Sequence, residues 1–319
     1  MTILDSIIQG VVQGLTEFLP VSSSGHLAIS QHILGVTKDN LFFDVMLHAG
    51  TLLAVVVVYW KMIIRLIVAL FSTLSDIFQG KFKWSERNED FNLIIMLVVG
   101  LLPLFLLYIP IPFTDGQTGM KISEGIASNI IVVGFSLIVT SILLAIGKSC
   151  NDKIIKNSPL RVMVKDSGKT NLTFKDALFI GLIQMVAAIF PGLSRSGSTL
   201  SAGEMRGLNR QTAFDYTFII AIPTIFAAVL IEGHKALAIK GGIGISGGVI
   251  AVGIITSAIV GFFAIKLFRW LLKTDKMAIF IVYTACMGLL VLIICLLENI
   301  TNQNLFTQVP INGSSLVPR

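Results

Sequence analysis

Three ionisable side chains stand in apolar surroundings: Glu17, His26 and Arg195. A charge at membrane depth costs about 2.5–3.5 kcal/mol on insertion scales, so such groups mark function first. Around them lie Gln13, Ser22, Ser23, Ser24, Ser194, Ser196, Ser198 and Thr199. Gln13 and Glu17 are four apart and share one helix face. Ser23 and His26 are three apart, across the start of a helix for which Ser22 or Ser23 is the expected N-cap. The run Pro191-Gly192-Leu193-Ser194-Arg195-Ser196-Gly197-Ser198-Thr199 has the ingredients of an anion cradle. Gly192 and Gly197 permit close backbone approach. A helix beginning near Ser194 would aim free N–H groups and its positive end at a ligand. Arg195 offers a planar fork suited to phosphate oxygens. A clamp of this kind opposite a carboxylate, a serine and a histidine suits hydrolytic attack on a phosphate better than passage of one. Taken singly, each group has a plainer reading. Ser-rich turns satisfy freed backbone groups, and Arg195 could pair with Glu17 for structure alone. His48, inside a span, reads as packing or as a supporting group behind the site.

These residues lie on one stretch that occurs twice. Shifted by 171 positions, Gly10, Gln13, Pro20, Ser23 and Ser30 fall on Gly181, Gln184, Pro191, Ser194 and Ser201, and Phe43-Asp44 falls on Phe214-Asp215. A constant offset over more than 30 residues argues for internal duplication. Each copy is an apolar run that breaks at a proline and continues as a Ser/Gly-rich turn. Matching breaks in two halves of a membrane protein are the best sequence pointer to a binding site.

Composition sets the solvent. Of 319 residues, 54% are hydrophobic and 13% charged, with a mean hydropathy of +0.86, where a soluble domain carries about 25% charged residues. The apolar runs are long and do not alternate, which argues against a β-barrel. Cys150, Cys286 and Cys295 give neither a disulfide framework nor metal-ligand spacing. No basic n-region or cleavage site precedes the first apolar run, so no removable signal peptide is expected. Residues 313–319 read as an expression-tag remnant. The expected organisation is a single membrane domain over 1–312, with one repeat at about 2–147 and the second at about 174–297.

The expected fold is an all-α integral membrane protein with six spans and two broken-helix hairpins. Spans are expected at 43–60, 92–113, 127–147, 214–232, 246–268 and 277–297, with an amphipathic segment at 62–78. The segments 2–19 with 21–35, and 174–208, are too short to cross comfortably, since about 20 apolar residues are needed. Re-entrant hairpins fit them better, provided the turns are buried in protein or face water. Loops at 61–91, 148–175, 206–210 and 266–276 carry 18 Lys and Arg residues, and the opposite side carries four: Lys38, Lys121, Lys235 and Lys240. The basic side is assigned to the cytoplasm, which accounts for the net charge of +6 without a nucleic-acid partner. Both termini then lie outside. The two hairpins enter from opposite faces as inverted repeats, and their tips meet near the bilayer midplane.

At these residues the sequence resembles the undecaprenyl-diphosphate phosphatase family, the integral-membrane enzymes also known as bacitracin-resistance proteins. The family's (Glu/Gln)-x3-Glu motif and its extension stand here as Gln13-Gly-Leu-Thr-Glu17 and Pro20-Val-Ser22-Ser23-Ser-Gly25-His26. Its second motif stands as Pro191-Gly192-Leu-Ser194-Arg195-Ser196-Gly-Ser-Thr199. The resemblance covers about residues 2–297, and the loops 114–126 and 148–173 are long for the family. It implies removal of the terminal phosphate from undecaprenyl diphosphate, recycling the carrier lipid for peptidoglycan and conferring bacitracin resistance. It also implies a bacterial plasma membrane location, a site open to the outer face, and a divalent cation, Mg²⁺ or Ca²⁺. The expected partners are the lipid substrate and membrane lipid, with a homodimer left open. On this reading Arg195, Ser194, Ser196, Thr199, Gly192, Gln13 and Ser22 hold the diphosphate, and Ser23 is the nucleophile with His26 as acid or base. Glu17 either activates the Ser–His pair or binds the cation. Activated water or His26 as nucleophile stays open. Gln13 leaves one carboxylate in the first motif, which weighs against a two-carboxylate metal site. The competing class is a transporter or flippase for a phosphorylated prenyl lipid, because broken helices at midplane are also transporter architecture.

Overall fold

Two helix pairs, each broken at a proline, are built alike. Helix α1 (Ile3–Phe18) opens on a capping box: the Thr2 hydroxyl accepts from Asp5 N–H at 3.2 Å, and the Asp5 carboxylate accepts from Thr2 N–H at 2.7 Å. Helix α7 (Phe174–Ile189) opens on the same box made by Thr173 and Asp176, again 171 positions on. Each helix has 16 residues and ends two residues before its proline. The proline ring drives the preceding residue out of the α region, and Leu19 and Phe190 have ψ of 143° and 111°. The chain then re-enters short helices, α2 (Ser23–Leu34) and α8 (Arg195–Met205). The computed structural model describes all residues except 35–40, 85–86, 113, 115, 128, 158–166, 238–243 and 308–319. The expected tag remnant, Lys38, Arg161, Lys165 and Lys240 lie outside the described residues.

Six helices among the described residues are long and apolar enough to cross a membrane. They are α3 (Leu41–Phe78), α4 (Glu89–Phe105), α6 (Ile130–Asn157), α9 (Arg210–Leu237), α10 (Gly247–Lys273) and α11 (Ala278–Thr301). The expected break near residue 61 is not there. α3 runs on for 38 residues, because no Gly or Pro interrupts 51–79. At 1.5 Å per residue it is about 57 Å long, so it outruns the roughly 30 Å hydrocarbon core. The span expected at 92–113 ends earlier: Pro103 lies inside α4, which stops at Phe105 and tightens into a 3-10 turn at Leu106–Tyr108. The expected loop 114–126 holds a helix of eight residues, α5 (Gly119–Ile126), capped by the Thr118 hydroxyl.

In lipid, helices associate through close packing and polar contacts rather than hydrophobic drive. α1 packs along α10, and α7 packs along α4. Both crossings depend on small residues. A Cβ on Gly10 would lie 2.9 Å from Thr256 Cβ, and one on Gly181 would run into the backbone of Gly100. Ser6 donates to the Val249 carbonyl at 2.6 Å, tying α1 to α10. Phe18, next to Glu17, packs on Phe218 of α9, with ring centroids 5.5 Å apart. Phe214, Phe218, Phe268 and Phe280 continue that contact into the core.

Candidate functional site

The two breaks touch. A Cβ on Gly25 would come within 3.0 Å of Gly192 Cα, so neither turn has room for a larger residue at this point. Gly192 has φ +88° and donates its N–H to Ser24 Oγ at 3.3 Å. Thr140 of α6 pins the second turn. Its hydroxyl donates to the Gly192 carbonyl at 3.3 Å and accepts from Ser194 N–H at 3.0 Å. Ser196 reaches back to donate to the Leu19 carbonyl at 3.3 Å.

Glu17 sits in the last turn of α1, 7% exposed. One carboxylate oxygen, Oε2, accepts from Ser23 Oγ at 2.6 Å and from Gln13 Nε2 at 2.9 Å. The other, Oε1, accepts from Arg195 Nη2 at 2.5 Å. Glu17 and Arg195 are 178 residues apart in the chain. Gln13, Glu17, Ser23 and Arg195, all expected at the site, therefore form one hydrogen-bonded group. Of these, Glu17 and Arg195 line a recess together with Phe18, Ser196, Thr199 and Thr217. Ser194 is the N-cap of α8, accepting from Gly197 N–H at 3.1 Å, and lies 3.3 Å from Ser196 Oγ. Thr199 donates to the Arg195 carbonyl at 2.9 Å, which steadies the turn that carries the guanidinium.

His26 is placed differently from expectation. Its Nδ1 lies 2.8 Å from the Ser22 carbonyl, an acceptor only, so Nδ1 carries the proton. In the neutral ring Nε2 is then an acceptor, and it takes the hydroxyl of Tyr283 at 2.8 Å. Both nitrogens are engaged away from Ser23, and the partner of Ser23 is Glu17. The expected Ser23–His26 pair is replaced by a Ser23–Glu17 pair. The reason is the tight turn at Ser22, where φ is +75°. Ser22 caps the turn by accepting from Gly25 N–H at 3.2 Å.

The comparisons bear on this geometry. The bacitracin resistance protein BacA family matches residues 6–290. The chain belongs to that family. It is similar to the undecaprenyl-diphosphatase of Methanosphaera stadtmanae, 34% identical over 300 residues, covering 92% of this chain and 98% of the relative. The undecaprenyl-diphosphatase of Alkaliphilus metalliredigens is 35% identical over 299 residues, covering 93% of this chain and 100% of the relative. That of Halothermothrix orenii is 33% identical over 294 residues, covering 92% and 98%. Both breaks fall inside the BacA match, so they belong to the part of the chain that the family describes.

Two residues at the site, Tyr283 and Thr217, are not singled out by local sequence patterns, and a third, His48, reads there only as packing or a supporting group. Tyr283 of α11 holds His26. Thr217 of α9 lines the recess with a buried hydroxyl that has no protein partner. His48 of α3 brings Nε2 to 3.4 Å from Glu17 Oε2. The Mg²⁺ or Ca²⁺ expected at Glu17 does not fit this set of donors. Both carboxylate oxygens already accept from N–H or O–H groups, and Arg195 would repel a cation there. Among the described residues no three His, Cys, Asp or Glu side chains gather to hold an ion.

Proposed function

We propose that this BacA-family chain removes the terminal phosphate from undecaprenyl diphosphate, releasing phosphate and the monophosphate carrier lipid used for cell-wall synthesis. Removing the diphosphate that bacitracin sequesters is the basis of resistance. One observation carries the reading. A carboxylate from the first break, a guanidinium from the second and a serine hydroxyl converge on a single buried point.

In this mechanism Ser23 Oγ attacks the terminal phosphorus, and Glu17 Oε2 takes its proton through the 2.6 Å hydrogen bond. The bond from phosphorus to the bridging oxygen breaks, and the lipid monophosphate leaves. Arg195 turns from Glu17 Oε1 to the phosphoryl oxygens, where developing charge is spread in the transition state. Ser196, Thr199 and the N–H groups at the start of α8 complete the cradle, with Gly192 keeping the backbone close. Water then hydrolyses the phosphoserine, with Glu17 returning a proton to Ser23. His26, held by Ser22 and Tyr283, shapes the turn that carries Ser23. Gln13 keeps Glu17 aimed at it.

We further place the two broken units as re-entrant hairpins entering from opposite faces, related by an axis in the membrane plane. Supporting this are helix bounds that match at an offset of 171 and the reciprocal packing of α1 on α10 and α7 on α4. The charge bias supports a site open to the outer face and termini outside. Cysteine labelling from each face of sealed vesicles tests the orientation: a residue near 80 should react only from the cytoplasmic side. The activity is tested by phosphate release from undecaprenyl diphosphate with purified protein in detergent. Release without any gradient is expected. Lipid movement between leaflets with no phosphate released would instead support a flippase.

A further inference from the structure

Arg195 has two claims on it. In this structure it is bound to Glu17 Oε1, yet the function proposed above, on which this inference rests, needs it on the diphosphate. When it leaves, Glu17 keeps its charge with the carboxylate only 4% exposed. Breaking a buried ion pair by removing one partner is strongly destabilising, because the remaining charge is uncompensated. Substrate binding would then have to overcome that penalty unless a second cation stays behind.

His48 is placed to be that cation. It projects from α3 toward α1, and its Nε2 lies 3.4 Å from Glu17 Oε2, the oxygen that Arg195 does not touch. Its Nδ1 lies 2.8 Å from the Asp44 carbonyl one turn back. A carbonyl only accepts, so Nδ1 carries a hydrogen. A neutral ring would then point a lone pair at a carboxylate, whereas an imidazolium would point an N–H. No hydrogen bond joins the two side chains, and the 3.4 Å separation is that of an ion pair when the ring is protonated. The carboxylate of Asp44 itself is turned to Gln31 of α2, which donates to it at 2.9 Å. Because His48 and Arg195 use different oxygens, one can leave without displacing the other. With Gln13 in place of a second carboxylate, a protonated His48 would give the group one anion and two cations, a surplus that matches a polyanionic head group.

We propose that His48 is the standing counter-charge of Glu17, a positioning residue that releases Arg195 from the first break to the diphosphate. The test is a double-mutant cycle on binding of inorganic pyrophosphate, measured by calorimetry on the purified full chain in detergent. His48→Ala is expected to weaken pyrophosphate about tenfold in the wild-type background and less than about twofold in a Glu17→Gln background, where no charge needs pairing. His48→Gln keeps a donor but no charge, and about a threefold loss is expected. It carries the same comparison if His48→Ala does not fold. An equal loss in both backgrounds, or no loss in either, overturns the proposal. With undecaprenyl diphosphate as substrate, the expected change is a rise in KM larger than the fall in kcat, and a change in kcat alone would also overturn it. Phosphate release by the wild-type protein is scored separately. Release with an unaffected His48 variant removes this inference and leaves the phosphatase reading standing. No release removes that reading, while the binding cycle still decides the role of His48.

Discussion

The first and second breaks share a backbone plan and differ in chemistry. α1 and α7 have equal lengths, the same capping box and the same stop before proline. Their side chains have divided the work. Glu17, in the first copy, corresponds to Ala188 in the second, and Ser24 corresponds to Arg195. Ser23 and Ser194 occupy the same offset, yet Ser23 donates to a carboxylate while Ser194 caps a helix. Gln13 pairs with Glu17, whereas both polar atoms of its counterpart Gln184 are buried without a protein partner. A duplicated frame supplies two turns that meet, and divergence makes one the nucleophile and base and the other the anion clamp.

That division can be broken from either side. The largest effect is expected at the paired serines. Ser23→Ala should lower kcat on the order of 10⁴-fold, as removal of a nucleophile does, and abolish any trapped phosphoenzyme. Ser194→Ala should cost about 1 kcal/mol of stability as a lost cap and still form phosphoenzyme, read by labelling and gel analysis. Label persisting in Ser23→Ala would take the nucleophile role away from the first break. Next comes the pair at position 195. Arg195→Ala should cost about 10²–10³-fold in kcat/KM, with helical content unchanged by circular dichroism. Its counterpart Ser24→Ala, which loses two long contacts, to Gly192 N–H and to Ser22 Oγ, should cost less than about tenfold. Near-normal turnover in Arg195→Ala would refute the clamp.

The smaller effects sharpen the frame. Gly181→Ala meets the Gly100 backbone and should destabilise by about 2–3 kcal/mol, whereas Gly10→Ala meets Thr256 Cβ at 2.9 Å and the Gly253 carbonyl at 3.1 Å, a looser clash, and should cost about 1–2 kcal/mol. Thermal unfolding in detergent reads both, and the reverse order would mean that the two crossings are not equivalent. Gln13→Glu should have the mildest effect, a few-fold in rate. It places a second carboxylate beside Glu17, so phosphate release should come to depend more steeply on added Mg²⁺ or Ca²⁺. An unchanged response to the ion would show that position 13 does not set it.

Much of this was legible in the sequence, for local reasons. The breaks announce themselves through proline and Ser/Gly turns inside apolar runs, and the constant offset identifies them as copies. Buried charge is rare enough in a membrane chain that Glu17 and Arg195 stand out without any knowledge of their contact. What stayed hidden depends on packing between distant helices. Tyr283 lies on an apolar span with no motif around it, and His48, which reads in the sequence only as packing or a supporting group, gains its place beside Glu17 through the crossing of α3 with α1. The spacing of Ser23 and His26 suggests neighbours, whereas past the turn at Ser22, with its positive φ, the ring meets Tyr283 of α11. The expected span at 43–60 and the amphipathic segment at 62–78 are one helix, α3, because a change in side-chain pattern does not stop a helix where the backbone chemistry lets it continue.

The central claim is that the two breaks act as one site on one phosphate. Its most direct test is an activity cycle on the contact that joins them: phosphate release from undecaprenyl diphosphate by wild type, Glu17→Gln, Arg195→Ala and the double variant. Residues that act as a unit are grossly non-additive. The double variant is therefore expected to be about as impaired as the worse single variant. Losses that multiply across the two positions would mean that Glu17 and Arg195 serve separate sites, and would contradict the claim.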